Sequence, residues 1–375
     1  MKKFLFVLLA GLVLAAEALA CTSAIVTAQR SSEGAPLLWK HRDSSFSKTR
    51  VEYITPKKGF SYTAIVPDTK NFKRDVYAGI NEKGLGIFNT ASHDLPEATQ
   101  EEYDACTLKR VKSFMTLMAY GLRRCSTVDE FEAYLKKTKR SKGFDTNIGI
   151  GDATGAVAYF EVWDLGYRRY DVNERSEGFD VRSNFSFAAS GKRGFSERRY
   201  KVVMKQMKAH SGNFKPQDFF AYSSSYNSIK FGDILANDKP YVCNNHSVAR
   251  ATSVSSVVMV CDSKCPRMLV ANGHPAACPA VPVYVQAKNE IPECVHTSKM
   301  RVLSDDFRAT AYTKKAKKKY QLNKEVVRAV LKVKKPVFEM PKQMPANIKK
   351  FNAKIDKGYN KYERKVRKVV NKYAA

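Results

Sequence analysis

The sequence predicts an α+β fold carrying a basic helical appendage at its C-terminus. Strand-like runs come first, two helix-period stretches follow, and strands then return. That order suits layered α+β better than alternating βαβ units. Gly, Asn, Asp and Ser clusters separate the runs at hairpin spacing. The charge is uneven: the 375-residue chain carries a net +29, and positions 311–375 hold 21 Lys or Arg against Glu325, Glu339, Asp356 and Glu363. More than half of the excess charge lies in that tail, which marks it as an appendage to an otherwise ordinary core.

The chain opens with Lys2 and Lys3, an apolar run from Phe4 to Ala16, and Ala18-Leu19-Ala20. A positive start, an apolar stretch too short to span a bilayer and an Ala-x-Ala end describe a secretory leader. Cleavage after Ala20 makes Cys21 the first mature residue. One residue then owns a thiol and an α-amine of pKa about 7.7–8.0, which supplies a nucleophile together with its base. Two alternatives stay open. A cysteine after a leader also suits lipid attachment, although Ala18 stands where that motif usually has Leu, and Cys21 also suits an ordinary disulfide.

Ser23–Val26 and Ala35–Trp39 read as a hairpin across Ser31-Ser32-Glu33-Gly34. Tyr62–Val66 and Val76–Ile80 are strands, and Asn81-Glu82-Lys83-Gly84 turns the chain into Leu85–Thr90, with Gly84 free to take a positive φ. Asp104–Ala119 and Thr127–Lys137 have helical spacing, the second capped by Ser126 or Thr127. Ile148–Gly151 and Ala156–Val162 form another hairpin. Ser196–Met207 is helical, and Thr252–Val260 and Met268–Ala271 return to strand. In the tail, Lys324–Val333 and Asn352–Val370 are helical, separated by Pro336, Pro341 and Pro345. No stretch after the leader approaches the apolar length of a membrane span. Besides Cys21, seven cysteines remain, and their density from Cys243 to Cys294 suggests bridges whose pairing the spacing does not give. No C-x-x-C pair is present, so neither zinc nor any cofactor is expected.

Four patterns carry a family resemblance: Cys21-Thr22-Ser23, Leu38-Trp39-Lys40-His41-Arg42-Asp43, the run from Tyr77 through Asn81-Glu82-Lys83-Gly84-Leu85-Gly86 to Asn89, and Arg182-Ser183-Asn184-Phe185. A looser match comes from Thr252–Ser256 and Gly273-His274-Pro275. The chain resembles the N-terminal nucleophile (Ntn) hydrolases, in the group of choloylglycine hydrolases, penicillin V acylases and isopenicillin-N acyltransferase-like proteins. The resemblance implies a four-layer αββα sandwich over 21–305, after a leader at 1–20 and before a Lys-rich helical extension at 306–375.

It also implies the site. Cys21 is the nucleophile, Asp43 orients its amine, and Asn89 and Asn184 support the oxyanion. Arg199 starts a helix near the site, in an alignment that neighbouring Arg198 leaves ambiguous. Glu161 reads as a structural carboxylate. Choloylglycine hydrolases usually have arginine three residues before the aspartate. Here that residue is Lys40, a non-neutral exchange that points away from bile salts and toward the acyltransferase-like branch. A papain-like arrangement with His41 or His246 as base fits poorly, because the C-G-S-C-W type signature is missing.

The expected function is cleavage of a linear, non-peptide amide of a small molecule through an acyl-thioester on Cys21, in a periplasmic or extracellular setting. The competing expectation is a lipid-anchored envelope protein that keeps the fold as a binding module. The basic tail suits an anionic envelope surface, export argues against nucleic acid, and similar proteins form homo-oligomers.

Overall fold

The computed structural model describes residues 21–69, 75–189, 194–237, 239–243, 246–316 and 319–374. The leader at 1–20 lies outside the described residues. Two antiparallel sheets form the centre. The first contains β1 (Thr22–Val26), β2 (Leu37–Asp43), β10 (Phe179–Arg182), β11 (Ser253–Val260), β12 (Arg267–Ala271) and β13 (Val281–Tyr284), ordered β10-β1-β2-β11-β12-β13. The second contains β3 (Thr49–Ile54), β4 (Tyr62–Pro67), β5 (Ala78–Asn81), β6 (Gly86–Ala91), β7 (Asp145–Gly151), β8 (Val157–Trp163) and β9 (Tyr167–Asp171), ordered β9-β8-β7-β6-β5-β4-β3.

Each sheet buries both faces. Ile25, Leu38, Phe88, Val257 and Met259 fill the space between the sheets. On the outside of the second sheet, Ile87, Ile148, Ile150 and Phe160 meet α1 (Phe114–Arg124) and α2 (Val128–Lys136) through Leu117, Leu122 and Phe131. On the outside of the first, Val26, Trp39 and Val258 meet α3 (Gly194–Lys208) and α4 (Asp218–Ser223) through Val203, Met207 and Phe219. The layering is αββα, as expected.

The turn chemistry follows the sequence. Gly84 takes φ +83° and Gly155 φ +100° at the two expected hairpins. Thr127 caps α2 in a capping box with Glu130, worth about 1 kcal/mol. The long helix expected over Asp104–Ala119 is instead interrupted. A short helix ends at Ala105, Lys109–Val111 pairs in parallel with Thr138–Arg140, and Ser113 caps α1 afresh by accepting from the Thr116 amide.

The basic segment is not an outlying appendage. The expected boundary at 305/306 falls inside α5 (Lys299–Ala311), and α6 (Lys324–Lys332) and α7 (Ile348–Ala374) contribute to the same apolar cluster as residues of both sheets. Ile355, Tyr359, Tyr362, Val366 and Val370 recur at helical spacing along α7 and are all buried, while its lysines face outward. The Tyr362 hydroxyl donates to the Ala277 carbonyl at 3.1 Å, and Asp356 accepts the amides of Glu293 and Cys294, both at 3.0 Å.

The bridges expected among the clustered cysteines are not formed: Cys106, Cys125, Cys261, Cys265, Cys278 and Cys294 are free thiols, and the side chain of Cys243 lies outside the described residues. Cys261 packs against Gly86 while the Cys278 thiol donates to the Met300 carbonyl at 3.4 Å, so neighbours in sequence occupy separate niches.

Candidate active site

Strand alternation decides which side chains meet Cys21. The Ser23 hydroxyl reaches Thr90 Oγ1 at 3.0 Å and Tyr159 Oη at 3.1 Å across the sandwich, so the odd positions of β1 look between the sheets. Cys21, 3% exposed at the start of β1, shares that parity. On β2, Leu38 belongs to the same space and Trp39 to the outer layer, so Lys40 and Arg42 point inward.

Lys40 lies opposite Ser23 in the β1–β2 ladder and is fully buried. Its Nζ donates to the Asn89 carbonyl, and its charge is coupled to Cys21. Burial pushes its pKa down, the Cys21 thiol pulls it back up, and Arg42 adds repulsion. The Arg42 guanidinium lies 3.8 Å over the Tyr77 ring and donates to the Phe46 carbonyl and Ser44 Oγ, both at 3.1 Å.

Asp43, 1% exposed, pairs with the Arg250 guanidinium and accepts from Ser253 Oγ at 2.8 Å. His41 Nε2 lies 3.3 Å from its carboxylate and 2.9 Å from Ser253 Oγ. Burial alone would raise this carboxyl, but Arg250 and then His41 hold it well below the usual carboxylate range. His41 is therefore a bracket for Asp43 rather than a base for the thiol. The charge of Asp43 also acts on Lys40 and Arg199.

A second chain of contacts reaches Cys21 through its carbonyl. Ser183 Oγ donates to that carbonyl at 3.1 Å and accepts from Arg199 Nη2 at 3.0 Å. The same Nη2 bonds Asn184 Oδ1 at 2.8 Å, and Asn184 Nδ2 donates to the Ala91 carbonyl at 2.7 Å. Arg199 therefore bonds both Ser183 and Asn184, whereas Arg198 bonds His246 Nδ1 at 3.0 Å. Burial, then Arg250, pushes the Arg199 pKa well down.

Asn89 departs from expectation. It shares the parity of Ile87, which faces α1 and α2, and its Nδ2 bonds Thr146 Oγ1 at 3.3 Å on that outer side. Only its carbonyl, held by Lys40, enters the site. Glu161 is structural, as expected: it accepts the amides of Phe187 at 2.6 Å and Ala188 at 2.8 Å, fixing the loop after β10.

Two buried chains of contacts result. One joins Asp43 to Arg250, Ser253 and His41, and the other joins the Cys21 carbonyl to Ser183, Arg199 and Asn184. The Asp43 charge acts on Arg199 in the second. Arg250 carries no motif of its own, whereas Ser183 and Ser253 fall inside the Arg182–Phe185 and Thr252–Ser256 patterns without a role assigned to them there. Ser253 stands opposite Asp43 in the β2–β11 ladder, a signal that exists only once the strands are paired. Arg250 pairs with Asp43 directly, and Lys40, Arg42 and Arg199 feel the same carboxylate charge, so cationic groups outnumber it. Among the described residues, no group of His, Cys, Asp and Glu is placed to hold a metal ion.

No protein-family model matches the chain, and no curated protein matches its sequence. Solved structures resemble its backbone. A mutant of conjugated bile acid hydrolase from Clostridium perfringens is 13% identical, covers 72% of this chain and 93% of its own, and gives a TM-score of 0.47. Penicillin V acylase from Agrobacterium tumefaciens is 14% identical over 71% of this chain and 86% of its own, with a TM-score of 0.45. The Caenorhabditis elegans ortholog of N-acylethanolamine-hydrolyzing acid amidase is 14% identical over 64% of this chain and 92% of its own, with a TM-score of 0.41.

Proposed function

We propose that this chain is an exported amide-cleaving enzyme of the N-terminal nucleophile type, acting on a linear, non-peptide C–N bond of a small molecule through an acyl-thioester on Cys21. The observation that carries the reading is the chain of contacts behind Cys21: Ser183 on its carbonyl, held in turn by Arg199, which also bonds Asn184, with the buried Lys40 charge coupled to Cys21.

With the leader removed, the α-amine of Cys21 takes the thiol proton, and sulfur attacks the amide carbon. The tetrahedral oxyanion draws donors from the Asn184 side of the network. Collapse breaks the C–N bond, and the proton held by the amine leaves with the departing amine. Water, or a second amine in acyl transfer, then attacks the thioester and regenerates the thiol. Asp43, fixed by Arg250 and Ser253, supplies the negative charge that favours a protonated amine nearby.

The test is turnover of N-acyl-p-nitroanilides by secreted chain whose N-terminal residue has been sequenced. An unmodified Cys21 terminus with activity lost in Cys21→Ala and cut severely in Cys21→Ser supports the proposal. Undiminished turnover by Cys21→Ala removes it, and a lipid-modified Cys21 removes the base.

A further inference from the structure

Away from the catalytic network, α6 and α7 enclose an open groove of about 520 Å³. Its floor is apolar: Ala329 and Val333 from α6 and its C-cap, Val369 and Tyr373 from α7, all half-buried. Its rim is five exposed ammonium groups, Lys332, Lys334, Lys365, Lys368 and Lys372. Among the described residues, no carboxylate lines it. The acids of α7 are engaged elsewhere, Glu363 with Arg367 at 2.8 Å and Asp356 with the amides of Glu293 and Cys294.

Two further apolar side chains of the same segment are exposed. Val337 is 79% exposed and Leu331 37% exposed, so the α6 end and the segment after it hold out apolar groups next to unneutralised lysines. The cationic face continues along α7 through Lys350, Lys354, Lys357, Lys361 and Arg364, all exposed, on a helix about 40 Å long. Like charges at this spacing repel one another. A diffuse anionic surface relieves that repulsion, and one with an apolar layer just beneath its charges also accommodates Val337 and Leu331.

We propose that the α6–α7 end of the molecule docks peripherally on an anionic lipid surface. Lys332, Lys334, Lys365, Lys368 and Lys372 meet the acidic headgroups while Val337 and Leu331 reach the acyl boundary. No helix among the described residues is long and apolar enough to cross a membrane, and docking of this kind needs none. It stands independently of the chemistry at Cys21.

The test is co-sedimentation of the full chain with phosphatidylglycerol–phosphatidylcholine vesicles, against phosphatidylcholine alone, at ~0.1 M salt. Because the whole chain is basic, location must be separated from charge. One variant changes the five rim lysines to Gln, and a control changes exposed Lys57, Lys58, Lys109, Lys137 and Lys215 to Gln. The expected result is binding only to the anionic vesicles, weakened at least tenfold in the rim variant and less than threefold in the control. Val337→Asp, which removes a further apolar contact, weakens it at least threefold. Equal losses in the two Gln variants overturn the proposal. So does indifference to Val337→Asp combined with equal competition by soluble polyphosphate, because the groove would then be a general polyanion site.

Discussion

Arg250 and Asp43, 207 positions apart, form a buried ion pair in which both side chains are at most 3% exposed. The pair ties the loop before β11 to the end of β2 and fixes the carboxylate beside Cys21's strand. Removing one partner of such a pair strands a buried charge, at a cost of about 3–5 kcal/mol.

Arg250→Met should therefore destabilise the fold by about that amount, read as a urea midpoint shift at neutral pH. The pH sign follows from Asp43. Its carboxyl lies below its unfolded value of about 3.9, so its contribution is present above that pH and is lost as pH falls further. The variant should lose less stability on acidification than the wild type. A parallel acid profile would show that the pair contributes nothing.

His246 sets a second pH response. Burial, then Arg198, pushes its imidazole down to about 4. Below about pH 6.5 the unfolded chain binds a proton that the fold refuses, so stability falls from there toward the folded value. His246→Asn should flatten the midpoint between pH 7 and 4.5. Unchanged pH dependence in that variant would contradict the assignment.

The buried Lys40 charge is coupled to Cys21, so Lys40→Met takes positive charge away from the proposed nucleophile. Lys40→Met should slow iodoacetamide alkylation of Cys21 at neutral pH at least tenfold, followed by mass mapping of the Cys21 peptide. An unchanged rate would leave Lys40 as a structural donor to Asn89.

The two asparagines should separate. Asn184→Ala removes the side chain proposed to support the oxyanion, held here by Arg199, and should lower kcat by about 10²- to 10³-fold. Asn89→Ala alters a side chain on the outer face and should change kcat less than threefold. Equal effects would show that the face assignment of β6 is wrong.

The hairpins were legible because Gly84 and Gly155 punctuate them, while Cys21, Asp43 and Asn184 stood out as candidates because each sits in a quoted pattern, and Arg199 because it lies in a predicted helix. The side chain of Asn89 was not legible. Ile87 and Phe88 are both apolar, since a strand inside a four-layer sandwich is covered on both faces and carries no alternation to reveal its parity. Ser253 becomes a partner of Asp43 only through strand pairing, and Arg250 and Ser183 reach theirs from segments just outside the strands. In α7 the dense lysines masked the buried stripe Ile355, Tyr359, Tyr362, Val366 and Val370, so a helix that completes the core reads in sequence as an appendage. Cysteine spacing likewise carries no information on which thiols share a niche.

The central claim is that the Cys21 sulfur forms the covalent intermediate. Intact-protein and peptide mass spectrometry of enzyme acid-quenched during N-acyl-p-nitroanilide turnover tests it most directly. The account predicts one acyl group on the Cys21 peptide of the wild type and none on Cys21→Ala. An acyl group on another residue, or wild-type turnover by Cys21→Ala, would contradict it.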